Sequence, residues 1–282
     1  MRLSNNWLTQ KLSYVYIEYM RNVPVLLHIL LIYGIIVHSM PKTKQALNFN
    51  DTFFLSNRGL MSPSGNFETG MWIVLAVLLL GALFTLWFRS YARRIQDTTG
   101  RTYPVGSISL IAVLIVPVAV YFIVGSPITW EYPVLKGFNF KGGMVIRPEF
   151  IAMFLALTIY TAAFISETVR SGILSVTKGQ KEASSSLGLK KSWIMRLIII
   201  PQALRVIVPP LTSQYLNLTK NSSLGIAVGY ADLVHGFGGI SLNQTGQAIE
   251  CMVIVMATYL TISLTISVFM NIYNRSIQFK EK

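Results

Sequence analysis

The stretch MWIVLAVLLLGALFTLWF (Met71–Phe88) contains no charged side chain and is almost entirely apolar. A hydrocarbon core about 30 Å thick requires about 20 apolar residues in a helix, so this stretch predicts a membrane-spanning helix. The composition agrees, because 52% of the 282 residues are hydrophobic and only 12% are charged. Soluble domains carry about a quarter charged residues. The sequence therefore predicts an integral membrane protein.

Other apolar segments of similar length lie on both sides of this stretch. In chain order the candidate spans are Val23–Met40, Met71–Phe88, Ile108–Val124, Phe150–Ile165, Ile194–Leu211 and Ala248–Met270. The segment Ile194–Leu211 contains prolines, and neighbouring helices must satisfy the carbonyl groups that prolines leave free. The predicted fold class is an all-α polytopic membrane protein with about six transmembrane helices.

The basic residues indicate the orientation of these spans. They concentrate at both termini, between the second and third spans, and between the fourth and fifth spans. The intervening loops, Pro41–Gly70, Gly125–Glu149 and Gly225–Gln247, are poorer in Lys and Arg. By the positive-inside rule, we expect both termini and the basic loops to be cytoplasmic. This distribution also explains the net charge of +13 without a nucleic-acid partner.

The segment before the first span has apolar residues at helical spacing, namely Leu8, Leu12, Val15 and Tyr19. Such a segment is either a helix lying in the cytoplasmic interface of the bilayer or a cytoplasmic extension of the first span. We therefore divide the chain into an N-terminal segment, residues 1–22, and a transmembrane domain, residues 23–282.

The sequence offers no pattern for a metal, a cofactor or catalysis. Cys251 is the sole cysteine, and the histidines His28, His38 and His235 lie in separate segments. The phosphate-binding pattern GxxxxGK[ST] is absent from the chain. We expect no metal, no cofactor and no enzymatic activity.

The stretch GQKEASSSLGLKKSWIMRLIIIPQA (Gly179–Ala203) places a polar segment between the fourth and fifth spans. We predict a short helix over Lys181–Leu187, near whose start Glu182 can cap or orient it, and a backbone turn at Gly188. Small side chains permit close docking of a soluble partner. An ordinary cytoplasmic loop is the alternative.

The order Glu182-Ala183, then Gly188, then Ile198 and Pro201 resembles the EAA motif of ABC importer permeases. Ser184 stands where a second Ala is usual, and Ile200 where Leu is usual. The stretches RNVPVLLHILLIY (Arg21–Tyr33), FISETVRSGILSVTKGQKEAS (Phe164–Ser184), NLTKNSSLGIAVGYADLV (Asn217–Val234) and LNQTGQAIE (Leu242–Glu250) extend the resemblance.

Together these motifs resemble the polar amino-acid permeases, in particular the branch serving general L-amino acid uptake. In that branch RLSNNWL follows upstream membrane helices, whereas here it follows Met1. We expect the family's upstream helices to be lacking.

The resemblance implies a multi-pass permease subunit of a bacterial inner membrane. This subunit works with a cytoplasmic ABC ATPase, a second permease subunit and a periplasmic amino-acid-binding protein. It also implies that a cytoplasmic coupling loop, residues 172–193, transmits ATP-driven motion from the ATPase. The residues expected to couple to the ATPase are Gly179, Gln180, Glu182, Ala183, Ser184 and Gly188.

Two polar clusters are candidates for the substrate path. Thr158, Tyr160 and Thr161 fall near the middle of the fourth span, although the threonines alternatively bond their own backbone. The second cluster comprises Asn217, Lys220, Asn221 and Ser222, which we expect on unwound backbone after the proline-rich span. Lys220 either attracts a substrate carboxylate or snorkels to the outer interface.

Glu167 and Arg170 are spaced to form an i,i+3 ion pair near the inner end of the fourth span. A structural role in holding the angle of the coupling loop is preferred over a role in binding substrate. We expect His28, within the first span, to be neutral and hydrogen-bonded.

A self-contained secondary transporter or channel for a small polar solute is the alternative function. The absence of an inverted repeat and the scarcity of carboxylates within the spans argue against it.

Overall fold

A computed structural model of the protein describes Arg2 and residues 6–278, and helices dominate these residues. The helices of the first half are α1 Trp7–Asn22, α2 Val25–Ser39, α3 Met71–Thr99, α4 Val105–Leu110 and α5 Val116–Ile123, with a π-helix over Ile111–Ile115. Those of the second half are α6 Pro148–Leu174, α7 Lys178–Ser186, α8 Lys191–Ile194, α9 Ile200–Asn221, α10 Leu242–Thr245 and α11 Ala248–Ile277.

Among the described residues, 5 helical segments are long and apolar enough to cross a membrane. They are Met71–Thr99, Val105–Ile123, Pro148–Leu174, Lys191–Val228 and Ala248–Ile277. A sixth is obtained if α1 and α2, which are bent by 106° relative to each other, count as one broken span. The helical polytopic fold class predicted from the sequence is confirmed.

The bend between α1 and α2 lies at Val23 and Pro24. Val23 adopts an extended conformation with φ −104° and ψ 130°, because the proline ring disfavours the helical conformation in the preceding residue. The segment 7–22 is therefore a separate helix and does not extend the first span in a straight line. Its position in the membrane interface stays a prediction.

The proline-rich span is more regular than expected. α9 continues through Pro209 and Pro210 to Asn221, and a π-helix over Met195–Ile199 precedes it. The expectation of unwound backbone at Asn217–Asn221 is wrong, because these residues form the last turn of α9. Each proline removes only its own N–H bond, and the buried Ala203, Ile207 and Val208 hold the helix in place.

Short strands, which depart from the predicted all-α fold, occupy the segments before α3 and before α6. They are β1 Leu47–Phe49, β2 Phe53–Ser56, β3 Gly59–Ser62, β4 Ser64–Phe67, β5 Ile128–Glu131, β6 Val134–Lys136, β7 Asn139–Lys141 and β8 Met144–Ile146. One sheet has the order β1-β2-β3-β8, while β4 pairs with β5 and β6 with β7. The β1–β2 hairpin turns through Asn50 and Asp51, which have positive φ angles of 58° and 52°.

The chain divides into two compact units. The first comprises the described residues up to Met40, Asn57–Gly59 and those from Ile146 onward, and the second comprises Pro41–Ser56 and Leu60–Val145. In the second unit α3 packs closely on the π-helix Ile111–Ile115, since a Cβ at Gly81 would overlap the carbonyl of Ala112. The proposed coupling and substrate residues all belong to the first unit.

Three buried clusters form the core of the first unit. One joins the end of α6 to α9 through Val176, Ile194, Ile199, Ala203 and Ile207. The others join α2, α6 and the 3-10 helix Ser222–Val228. α6 therefore lies at the centre of this unit.

Candidate coupling site and substrate path

The coupling loop contains an exposed helix, α7, which spans Lys178–Ser186. It begins three residues earlier than predicted and ends one residue earlier. Glu182 consequently lies in the middle of α7, where its carboxylate cannot cap the first turn, and the expected capping role is wrong. The N-cap residue Thr177 makes no side-chain cap hydrogen bond either.

The C-terminal end of α7 is closed by backbone hydrogen bonds around Gly188. Gly188 has φ +72°, and its N–H donates to the carbonyl of Ser185 at 3.0 Å. The N–H of Leu189 donates to the carbonyl of Ser184 at 3.4 Å. This pair of bonds defines a Schellman motif, which requires a left-handed residue after the helix. The predicted backbone turn at Gly188 is present, and a Cβ there would meet no atom within 4 Å.

The predicted coupling residues fall into two groups by exposure. Gly179, Gln180, Glu182, Ala183 and Gly188 are exposed, so they are free to contact another protein. Ser184 is only 4% exposed, and its hydroxyl donates to the carbonyl of Gln180. Its side chain therefore faces the chain itself and cannot reach a partner.

The two ends of the coupling loop meet in the cluster that joins α6 to α9. Val176, just before α7, and Ile194, in α8, pack with Ala203 and Ile207 of α9. Gly172 brings the helices together, because a Cβ at this position would overlap the side chain of Ile207 and lie 3.1 Å from the carbonyl oxygen of Ala203. A displacement of α7 must therefore act on α6 and α9 together.

Glu167 and Arg170 form the predicted ion pair. The guanidinium of Arg170 donates through Nε to Glu167 Oε1 at 2.8 Å and also through Nη2. The other carboxylate oxygen, Oε2, accepts from Nη1 of Arg2 at 2.7 Å. Glu167 thus ties the N-terminal segment to the C-terminal half of α6. The contact of Arg2 with Glu167 could not be deduced from the sequence, since these two residues are 165 positions apart.

The threonines of the first candidate substrate cluster differ in burial. Thr158 is exposed, whereas Thr161 is 8% exposed. Neither hydroxyl makes a hydrogen bond with any described residue. Other threonines on the long helices donate to the carbonyl one turn back, for example Thr168 and Thr212. The alternative that Thr158 and Thr161 bond their own backbone therefore does not hold.

Tyr160, the third member of this cluster, contacts the buried His28. The ring centroids lie 6.0 Å apart, and the ring centroid of Tyr19 lies 5.3 Å from that of His28. His28 Nδ1 lies 3.2 Å from the carbonyl oxygen of Pro24. Nε2 is buried and has no hydrogen-bond partner among the described residues, so the expected hydrogen bonding of His28 is only half satisfied.

The second candidate cluster surrounds the end of α9. Asn217 and Lys220 are exposed, while Asn221 and Ser222 are half-buried. The hydroxyl of Ser222 donates to the carbonyl of Thr219 at 2.7 Å. The cluster is thus presented on a regular helix end, and Leu218 within that end packs, like Tyr160, on the buried cluster of Val25, Met153 and Leu157.

Leu187 is an exposed residue of the coupling loop that was not among the predicted coupling residues. It follows α7 directly and is 79% exposed. A leucine between Ser186 and Gly188 is an apolar residue in a polar loop, and this contrast is the feature of the sequence by which it could have been recognised.

Among the described residues, no group of His, Cys, Asp and Glu is arranged to hold a metal ion.

Comparison with known proteins identifies the family. Residues 98–279 match the inner membrane component of binding-protein-dependent transport systems. The whole chain is 47% identical to the putative amino-acid ABC transporter permease protein YhdX of Escherichia coli K12, of which it covers 72%. It is 44% identical to the general L-amino acid transport system permease protein AapQ of Rhizobium johnstonii, covering 70% of that protein. It is 42% identical to the glutamate/glutamine/aspartate/asparagine transport system permease protein BztB of Rhodobacter capsulatus, covering 73%.

The chain therefore belongs to the family of inner membrane components of binding-protein-dependent ABC importers. As a multi-pass permease subunit it is a transport protein and not itself an enzyme. The alternative of a self-contained secondary transporter or channel is not supported.

Proposed function

We propose that this chain is one permease subunit of an L-amino acid importer and that α7 docks it to the cytoplasmic ATPase. The observation that carries this proposal is an exposed helix whose two flanks are anchored in one buried cluster between α6 and α9. A partner protein that displaces such a helix would move two spans, α6 and α9, at once. The spans then reorient as rigid bodies between two states.

The charge and shape of α7 support contact with another protein. Lys178, Lys181, Lys190 and Lys191 outnumber the single acidic residue of this region, Glu182. The helix is also intrinsically weak, because it contains Gly179 and consecutive serines and is shorter than the length at which isolated helices are stable. A complementary acidic surface on the ATPase would stabilise it.

The names of the relatives support the choice of substrate and partners. AapQ is named for general L-amino acid transport and BztB for glutamate, glutamine, aspartate and asparagine. We infer that a periplasmic binding protein delivers an L-amino acid to this chain and a second permease subunit. The charge distribution supports placing both termini and α7 in the cytoplasm.

The position of Thr161 supports a role near the substrate path, since it is a buried side chain on the central helix with an unengaged hydroxyl. Thr158, Tyr160, Asn217, Lys220, Asn221 and Ser222 complete the proposed path. We favour a structural role for the Glu167–Arg170 pair, because both carboxylate oxygens of Glu167 are already occupied by arginines.

The docking role of α7 is tested by reversing the charge at its exposed centre. Glu182→Lys should leave the permease in the membrane while weakening its association with the ATPase. The stimulation of ATP hydrolysis by the loaded binding protein should fall accordingly. Both quantities are measured on the purified importer.

Ser185→Ala is the matched control, because Ser185 is equally exposed and its hydroxyl only bonds the carbonyl of Lys181 one turn back. This variant should behave as the wild type. If Glu182→Lys retained full ATPase association and full uptake, the centre of α7 would not contact the ATPase and the proposal would fail.

A further inference from the structure

An open groove with both polar and apolar lining runs along α6 and α9, on a different side of α6 from Thr158. It has a volume of about 370 Å³ and is lined by side chains that include Arg21, Phe164, Thr168, Ser171, Pro210 and Gln214. The α6 residues are three or four positions apart and the α9 residues four apart, so each helix presents one stripe to the groove. The volume is within the range of small-molecule sites.

Several polar groups of the groove are not used within the chain. Ser166 of α6 and Ser175, which follows the last residue of α6, donate to carbonyl groups three residues back, at 2.8 and 2.7 Å. The hydroxyl of Ser171, which lies between them, makes no hydrogen bond with any described residue. The same is true of the amide of Gln214 and of the guanidinium of Arg21. Donor groups from α1, α6 and α9 therefore converge on the groove without partners in the part of the chain that the structure describes.

The groove has an uncompensated positive charge. Glu167 also lines it, but its carboxylate is bound by both Arg2 and Arg170. Glu18, one turn before Arg21 on α1, accepts a hydrogen bond from Asn22 at 3.4 Å and forms no ion pair with Arg21. Arg21 is therefore free to bind an anionic group, and guanidinium favours a carboxylate because the two can form parallel hydrogen bonds.

We propose that this groove binds the α-carboxylate of the transported amino acid, with Arg21 as the charged partner and Ser171 and Gln214 as neutral hydrogen-bond donors. This inference rests on the proposed function and adds a recognition site to it. The polar side of the groove would bind the α-carboxylate, which all amino acids share. Its other lining residues, Phe164, Val206 and Pro210, form an apolar wall. A small apolar or polar side chain can lie against that wall.

The experiment compares an amino acid with its α-amide. The complete importer is placed in nanodiscs of zwitterionic lipid without nucleotide, and equilibrium binding of L-glutamine and of L-glutaminamide is measured without the binding protein. The wild type should bind L-glutamine about tenfold or more tightly than the amide, as expected for loss of one charge-assisted contact. Arg21→Gln should bind both equally weakly.

Arg94→Gln is the control. Arg94 is an exposed arginine that does not line the groove, and it is predicted to lie on the same side of the membrane as Arg21. It should preserve the wild-type preference for the acid. A groove that instead holds a lipid phosphate would show no preference for L-glutamine over its amide in the wild type, and this outcome would overturn the proposal.

Retention of the acid-over-amide preference in Arg21→Gln would equally overturn it. If that variant does not assemble, Gln214→Leu decides the question: a reduced preference supports the groove, and an unchanged preference rejects it. Uptake of a mixture of L-amino acids by the wild type in proteoliposomes tests the proposed function separately. Uptake with an unchanged preference in the variants would reject the groove alone, whereas absence of any uptake would reject the proposed function.

Discussion

Gly188 shows how a single backbone angle determines the end of α7. Its φ of +72° lies in the left-handed region, which costs a residue with a Cβ roughly 1–2 kcal/mol. The space around it is open within the chain. The constraint visible in this structure is therefore the backbone angle itself, and the need for a glycine follows from the Schellman motif.

We predict that Gly188→Val weakens ATPase association, because a β-branched residue disfavours the left-handed turn and loosens the end of α7. A cost of 1–2 kcal/mol corresponds to about a 5–30-fold change in the association constant. Gly188→Asn should be much milder, since asparagine tolerates this conformation. Affinities of the purified permease variants for the ATPase test both expectations. Equal losses for Val and Asn would instead point to a partner surface that excludes any side chain.

Individual residues of the coupling site could be predicted only in part. Gly188 was identifiable because a glycine after small helix-forming residues signals a helix end. The burial of Ser184 was not, because every side chain from Gln180 to Ser186 is small or polar and gives no clear apolar stripe. Which face of α7 lies inward is decided by packing against residues that are distant in sequence.

At the level of helices, the contact between α6 and α9 is the connection between the coupling loop and the spans. Gly172 permits this contact, since it lies against Ile207 and the carbonyl of Ala203. The same contact places Val176 and Ile194 in one cluster. If α7 docks to the ATPase as proposed, coupling requires close packing of α6 on α9 as well as an exposed loop.

We predict that Gly172→Leu destabilises the permease, because the added side chain must separate α6 from α9. Overpacking of this kind typically costs about 1–3 kcal/mol. Thermal unfolding in detergent should show a lower transition temperature than the wild type.

Gly34→Leu, in α2, provides the comparison, because a Cβ at Gly34 would meet no atom within 4 Å. It should unfold close to the wild-type temperature. A stable Gly172→Leu variant that still couples ATP hydrolysis to uptake would show that α6 and α9 need not pack closely.

The sequence predicted the long helices well and the short elements poorly. Apolar runs such as Met71–Phe88 report directly on burial in lipid, so they could be located from composition alone. The strands contain only three or four residues each, and their pairing depends on partners far along the chain. β4, for example, pairs with β5 through Ser64 and Glu131. Such distant pairing leaves no local periodicity to detect.

The proline-rich span was misjudged for a different reason. The sequence predicts unwound backbone after the prolines, but α9 continues past Pro209 and Pro210 to Asn221. A proline costs one hydrogen bond and some steric strain. Here that cost is offset by the burial of Ala203, Ile207 and Val208. Tertiary packing decided the outcome, and a single sequence does not contain that information in readable form.

For the whole molecule, the distribution of basic residues predicts which loops face the cytoplasm. Four exposed positions test the orientation of each unit by itself. Ser185 and Asn243 belong to the first unit, and Asp97 and Lys136 to the second. The positive-inside rule places Ser185 and Asp97 in the cytoplasm and the other two outside.

We predict that a membrane-impermeant maleimide, added to intact cells freed of their outer membrane, labels cysteines at Asn243 and Lys136 but not at Ser185 and Asp97. The single cysteines are introduced into a Cys251→Ala variant, which removes the sole native thiol. All four positions should be labelled after the membrane is permeabilised, which shows that each cysteine is reactive. Labelling of Ser185 in intact cells, with protection of Asn243, would invert the first unit. Such an orientation would place α7 out of reach of an ATPase in the cytoplasm, so the coupling proposal would fail together with the topology.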